Sequence, residues 1–463
     1  MDTPFAYTPK SAWDNADAAA RKDMDALAAR YVDFLSRCKT ERETVAYVCE
    51  RLKAQGYAAT GDKVVRPLRG KAVFAARRGA LPLEKGLNLV AAHADSPRLD
   101  FKQRPLVEQA GVAQAKTHYY GGIRKYQWLA RPLALHGVVV REDGTVLPVT
   151  IGEKPGEPVF CIADLLPHLA QKQSAQPVSE AFEGEKLNVI LGHSPKPAPK
   201  TAKGKEKEDA PKEPVKALLL ELLHKKYGIT EEDFVTAELQ AVPAGPARFV
   251  GFDKALVGAY GQDDRICVFT ALEALLEAAP TGRSMAVMFW DKEEIGSDGA
   301  TGASSRFFQY CVEDLARAWG QDLPASRVFL ETRALSADVA GALDPDYQDV
   351  HEKQNAALLG YGPTFCKFTG SRGKYGASEA DAEYFAALRG LYNSKGIPWQ
   401  AAELGKVDHG GGGTVALFLA AYGMRVIDLG PAILSMHSPF ELASCADIYA
   451  TTQAYRTFLE AQV

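Results

Sequence analysis

The sequence predicts an α/β fold: a three-layer αβα domain, discontinuous in the chain and interrupted by a β-rich insert. Three observations carry this. Buried strand-like runs alternate with amphipathic helical stretches toward both ends of the chain. From about Gln103 to Val250 the alternation stops, and short β-like runs broken by Gly and Pro take over. The length, 463 residues, exceeds the roughly 250–300 at which single cores stop growing. The reading therefore assigns residues 1–102 and 251–463 to the split domain and 103–250 to the insert.

The N-terminal stretch carries Leu27, Tyr31, Val32 and Leu35 at helical spacing. Two helices are expected there, the second opening near Thr40 with a capping box closed by Glu43. "KAVFAARRG" and "GLNLVAAHADS" read as short buried strands. Within the insert, "LALHGVVVRE" and "TVLPVTIGE" read as strands. The Lys/Pro-rich segment 194–215 has too little apolar surface to offset its ordering entropy and reads as a mobile loop. After Val250, "DRICVFTALEALLEAAP" and "ASEADAEYFAALRGLYNSKG" are helical, while "SMAVMFW", "ASRVFLET" and "MRVIDLG" read as strands. The last helix is expected to start at Ser438 as N-cap, with Pro439 in its first turn and Glu441 closing a capping box.

Bulk properties exclude several classes. A net charge of −4 leaves no basic surface for nucleic acid. No apolar run approaches the ~20 residues that span a bilayer. The N-terminus lacks the basic and apolar regions of a signal peptide. Seven cysteines without ligand spacing read as reduced core thiols, which points to the cytoplasm.

In an open α/β sheet, ligands gather beyond the carboxyl ends of the strands. Four segments put acids or histidines there: His93 and Asp95 in "LVAAHADSP", Asp263 and Asp264 in "YGQDDRIC", Glu293 and Glu294 in "FWDKEEIGS", and His437 in "LSMHSPFE". Asp338, beyond the run ending near Glu331, is a fifth candidate. Taken singly, these are helix caps, a solvated turn and a structural histidine. Converging at one edge, they would be costly to desolvate without a cation. Mixed His and carboxylate donors suit zinc, with cobalt or manganese less favoured.

The order H-x-D, D-D, E-E, D and M-H resembles the aspartyl aminopeptidase family of dizinc metallo-aminopeptidases. "HADSPRLDFK", "KTHYYGGIRKYQW", "IADLLPHLAQ", "KFTGSRGKYGASEADAE", "DHGGGGT" and "SMHSPFE" are similar to its bacterial branch. The resemblance implies that the split domain is a metallopeptidase domain and that the insert mediates dimerisation. It implies two Zn2+ per subunit, with Asp263 bridging, His93 and Asp338 completing one site, and Glu294 and His437 the other. Asp95 would orient His93 through its second ring N–H; Asp264 stays open between a supporting role and a helix cap.

Hydrolysis of the N-terminal residue would proceed through a metal-bridged water, with Glu293 as general base. His168 would reach a neighbouring subunit's site in a dimer-based homo-oligomer, up to a dodecamer. Lys367, His409, Gly410 and Gly411 would line the substrate pocket, the glycines allowing close backbone approach. Peptides with acidic N-terminal residues are the implied substrates; His409, standing where an acid is expected, leaves neutral or basic residues as the alternative. Two rivals remain: a related dizinc carboxypeptidase or deacylase, and a non-catalytic self-assembling member of the family.

Overall fold

The computed structural model describes residues 5–14, 16–197 and 211–462. The chain divides into two compact units, Met1–Ser96 with Pro246–Val463, and Pro97–Gly245. These edges lie at 96/97 and 245/246, against 102/103 and 250/251 in the sequence reading. Most of the segment read as a mobile loop, residues 198–210, lies outside the described residues.

In the first unit, among the described residues, eight strands form one mixed sheet. At its centre Ser284–Trp290, Leu87–His93, Arg333–Ser336 and Arg425–Gly430 run parallel in that order. These strands are almost wholly buried and read as continuous apolar runs, as parallel strands covered on both faces do. Alternate side chains divide between two cores. Val90, Val287, Phe289 and Ile427 pack with the helices Ala18–Arg37, Gln262–Glu277 and Cys445–Leu459. Leu89, Met288, Trp290 and Val426 face Phe308, Val312, Val328 and Leu419 on the opposite side. The αβα layering expected from the sequence is present.

Several local expectations hold. The helix Glu41–Ala54 starts at Thr40 with both halves of its capping box formed. Strands occupy Ala72–Arg77, Leu133–Val140 and Val146–Ile151, and Ala382–Lys395 is helical. The seven cysteines are free, four of them buried.

Two expectations fail. "ASRVFLET" is a helix over Ala325–Glu331, and the strand begins only at Arg333. Ala325, Val328 and Phe329 are its buried face, at the i, i+3, i+4 spacing that a short apolar run shares with a strand. The last helix starts at Cys445 with Ser444 at its N-cap, and Glu441–Ser444 is a strand. Ser438 Oγ instead accepts from Phe440 N inside a turn, and Glu441 has other work, described below.

Pro97–Gly245 carries six antiparallel strands, ordered Val146–Ile151, Leu133–Val140, Glu238–Pro243, Arg98–Gln109, Val112–Tyr120 and Val189–Gly192. The helix Pro214–Tyr227 brings Leu219, Leu220 and Leu223 to its small core. No described helix of the chain is long and apolar enough to cross a membrane.

The strand that delivers His93 is fixed at its other end. Asn88 Nδ2 donates to the carbonyls of Phe458, Leu459 and Ala461 at 3.1, 3.2 and 2.8 Å, closing the C-terminus of the last helix. Asn88→Ala leaves these buried acceptors without that donor, so we expect a loss of about 1–3 kcal/mol, read as a lower urea midpoint.

Candidate metal centre

The parallel strands end at one edge, and the acids and histidines assemble there. His93, the last residue of its strand, is buried. Its Nδ1 lies 3.1 Å from the Asp95 carbonyl and 3.3 Å from Asp95 Oδ1. That leaves Nε2 facing the cluster, 3.2 Å from Asp263 Oδ1, 3.8 Å from Glu293 Oε2 and 3.9 Å from Asp338 Oδ1. His437 approaches from the other side, its Nε2 3.1 Å from Asp263 Oδ2 and 3.5 Å from Glu294 Oε2. Asp263 thus offers one oxygen to each imidazole.

Local backbone makes this possible. Asp263 and Asp264, joined by a cis peptide bond, leave helical φ/ψ at the start of the Gln262–Glu277 helix. Ser96 Oγ donates to the Asp263 carbonyl at 2.6 Å. Asp264 Oδ2 accepts from His93 N at 3.3 Å. The Glu293–Glu294 doublet forms a 3₁₀ turn over Glu293–Ile295, entered through Lys292 at φ 73°. This turn is what separates the pair.

Asp95 holds that turn. Its Oδ1 accepts from Glu293 N and its Oδ2 from Glu294 N, both at 3.2 Å. Its reach to His93 was legible in the sequence; its hold on the doublet was not. Glu441 is the second acid the sequence misplaced. Its Oε2 accepts from Gln262 N at 2.5 Å and Asp263 N at 3.2 Å, and its Oε1 from His437 N at 2.8 Å. An acid in the apolar run after "SMHSP" was the available signal.

The charge state of the cluster is unbalanced. Burial would raise the Asp263 carboxyl, but His437 and His93 override it and hold it below its usual range. Burial disfavours both imidazolium forms, yet the carboxylates win, moving His437 up to about 10 and His93 well upward. Burial pushes Glu293 up to about 7 and Asp264, Glu294 and Asp338 well above the carboxylate range. So many buried acids cannot ionise together without a counter-charge, and a divalent cation supplies one.

The donors fit such an ion. Ligand atoms of His93, Asp263 and Glu294 lie within 4.8 Å of one another, as do those of His93, Asp264 and Asp338. Buried Glu294 Oε1 has no hydrogen-bond partner. Asp264, left open by the sequence, joins the second of these groups.

The remaining expected site residues have their own local surroundings. Lys367 lines a cavity of about 810 Å³ with Tyr7, Lys10, Arg389 and Trp399, and no residue of the cluster contributes to that lining. Its Nζ is 3.9 Å from Glu379. His409 is exposed. At Gly410 and Gly411 a Cβ would strike the carbonyls of Leu404 and Gly370, so close approach by the chain's own backbone requires these glycines. His168 is exposed in the Pro167–Leu169 turn of the second unit.

Comparison with known proteins agrees with the donor set. The family model for aminopeptidase I zinc metalloproteases (M18) matches residues 34–459. An M18 family aminopeptidase of Clostridium acetobutylicum is 46% identical over 464 residues, covering 97% of this chain and 98% of the relative. One from Thermotoga maritima is 48% identical over 451 residues, covering 95% and 97%. The crystal structure of a T. maritima M18 aminopeptidase superposes with a TM-score of 0.92 at 45% identity, over 98% of this chain and 100% of that one. A dodecamer from S. cerevisiae, at 22% identity, TM-score 0.75 and coverage of 94% and 97%, shares the fold. This chain belongs to the M18 family of zinc metalloproteases, and its activity is that of a zinc-dependent aminopeptidase.

Proposed function

We propose that the enzyme binds two zinc ions per subunit and removes single N-terminal residues from peptides, with Glu293 carrying the proton. The observation that carries this reading is the sharing of Asp263 between two histidines, each with its own acid beside it. Asp263 would bridge; His93 and Asp338 would hold one ion, Glu294 and His437 the other. Cobalt or manganese could occupy the same donors. Bound zinc supplies a Lewis acid that polarises a carbonyl and acidifies water.

Glu293 would take a proton from the attacking water and return it to the leaving amine. Its carboxyl stands beside the proposed ligands, 3.8 Å from His93 Nε2, and a carboxylate near the ions but not bound to them suits both halves of that transfer. Glu293→Gln keeps the shape and removes the base. We expect zinc content to stay unchanged and kcat to fall by roughly 10²–10⁴-fold; full activity in a zinc-loaded variant would reject the role.

Acidic N-terminal residues are the proposed preference. The paired segments Gly370–Ser371 and Gly411–Gly412 are flanked in sequence by Lys367, Arg372, Lys374, Lys406 and His409, a basic surround that suits a carboxylate. One observation favours neutral substrates instead. Glu379 lies 3.0 Å from Lys374 Nζ and 3.9 Å from Lys367 Nζ, so two of these cations already face an acid. Aminoacyl-chromophore substrates decide between them. A charge-assisted contact of about 1.5–3 kcal/mol predicts kcat/KM for Asp or Glu exceeding that for Leu by roughly 10–100-fold. Equal values would select the neutral reading.

We further propose a dimer-based homo-oligomer, up to a dodecamer, in which His168 acts in a neighbouring subunit's site. Exposed His168 is neighboured in sequence by exposed Leu165, Leu166 and Leu169, a run of apolar side chains that suits an interface. The Leu166→Glu, Leu169→Glu double variant should elute at a smaller mass by light scattering and lose peptidase activity. Unchanged mass and activity would remove this run from the interface.

A further inference from the structure

Two buried carboxylates at the cluster accept from backbone rather than from other side chains alone. Asp95 takes the amides of Glu293 and Glu294. Glu441 takes those of Gln262, Asp263 and His437, and it divides its two oxygens between chain segments 175 or so residues apart. Its Oε2 serves the Gln262–Asp263 corner, and its Oε1 serves His437.

The His437 corner needs such a partner. His437 sits at φ 63° and Ser435 at φ 58°, left-handed conformations that side chains other than glycine rarely adopt. Turn geometry alone does not fix where such a residue points. One carboxylate that grips both the His437 and Asp263 amides fixes the distance between those two residues. Their side chains meet at 3.1 Å.

The grip is itself anchored. Gln262 Nε2 donates back to the Glu441 carbonyl at 2.7 Å and to the Val257 carbonyl at 3.1 Å. Tyr31 Oη donates to Gln262 Oε1 at 3.2 Å. Glu441 lies in the Glu441–Ser444 strand, where it pairs with Ala259 of the Leu256–Ala259 strand. Every member of this relay is buried. A buried carboxylate costs more than a neutral side chain would, so its presence here calls for a reason beyond closing a turn.

We infer that Glu441 is the positioning residue for the metal held by His437 and Glu294, acting through the backbone amides of His437 and Asp263. The inference rests on the two-metal reading above. Its larger effect falls on that ion, because His437 is held there directly while Asp263 is shared by both. The orientation of His93 comes from the Asp95 carbonyl and carboxylate, so the ion beside His93 and Asp338 should be affected less, through Asp263 alone.

The test is zinc titration of the chelator-stripped full-length protein against a chromophoric competitor. Wild type should bind two equivalents tightly. Glu441→Gln can keep only one accepting oxygen toward donors that need two. It should bind the first equivalent nearly as wild type does and the second roughly 10–100-fold more weakly, as His437→Ala does more severely. The thermal stabilisation gained on adding zinc should shrink while the melting temperature in chelator changes less. If Glu441→Gln does not fold, Glu441→Asp, which keeps the charge but withdraws it by one methylene, carries the same readout. Two equivalents at wild-type affinity, or equal weakening of both, would overturn the inference. A wild type that takes up only one zinc would reject the two-metal reading itself.

Discussion

Asp263 presents one carboxylate oxygen to each of two imidazoles, and the rest of the sheet edge is arranged around that sharing. A carboxylate in this position must be ionised, and the histidines hold it so against its burial. The neighbouring acids then feel both burial and a fixed negative charge, which is why Glu293, Glu294, Asp264 and Asp338 are all driven toward their neutral forms. Such a cluster opposes folding unless a cation enters. Zinc binding and the stability of this edge are therefore linked.

The same edge uses unfavourable backbone. Lys292 and His437 both adopt positive φ, each at a cost on the order of 1–3 kcal/mol. Asp95 and Glu441 offset part of this by accepting the amides that follow or belong to those residues. Charge-assisted bonds to backbone N–H groups are among the stronger ones available to a protein. The oxygens of both acids are thereby committed to the chain.

How much of this was legible follows from where each signal resides. Fully apolar strands ending in polar residues are visible in one sequence, so His93, Asp263, Glu293, Glu294, Asp338 and His437 could be gathered at one edge before any coordinates. Sequence spacing does not disclose a side chain that binds backbone far away, and Glu441 was read as a local cap for that reason. Ser438 and Glu441 fit the capping pattern, but strand pairing with Leu256–Ala259 claims that stretch first. The run "ASRVFLET" was lost to a different ambiguity, since so short a stretch with four apolar residues satisfies both periods. The glycines at 410 and 411 were singled out for letting backbone approach substrate, and what approaches them here is the chain's own backbone. For Lys367, its place just past the Thr364–Cys366 strand decides the outcome. Phe365 faces the core beneath the Ala382–Lys395 helix, and Lys367, two residues on, lines the cavity beside that helix.

The doublet Glu293–Glu294 shows how a local geometry can separate two identical side chains. In a 3₁₀ turn successive residues are about 120° apart, so adjacent glutamates cannot face the same ion. Asp95 takes both amides and so fixes the rotation of the turn. Glu294 is then directed toward His437, while Glu293 is directed toward the His93 side. Their exposure differs in the same sense: the Glu294 side chain is 4% exposed and the Glu293 side chain 17%. On the proposed mechanism Glu293 must meet water and exchange protons, which needs the more open place. An acid that only binds a cation is better served by the closed one, where low dielectric strengthens the attraction.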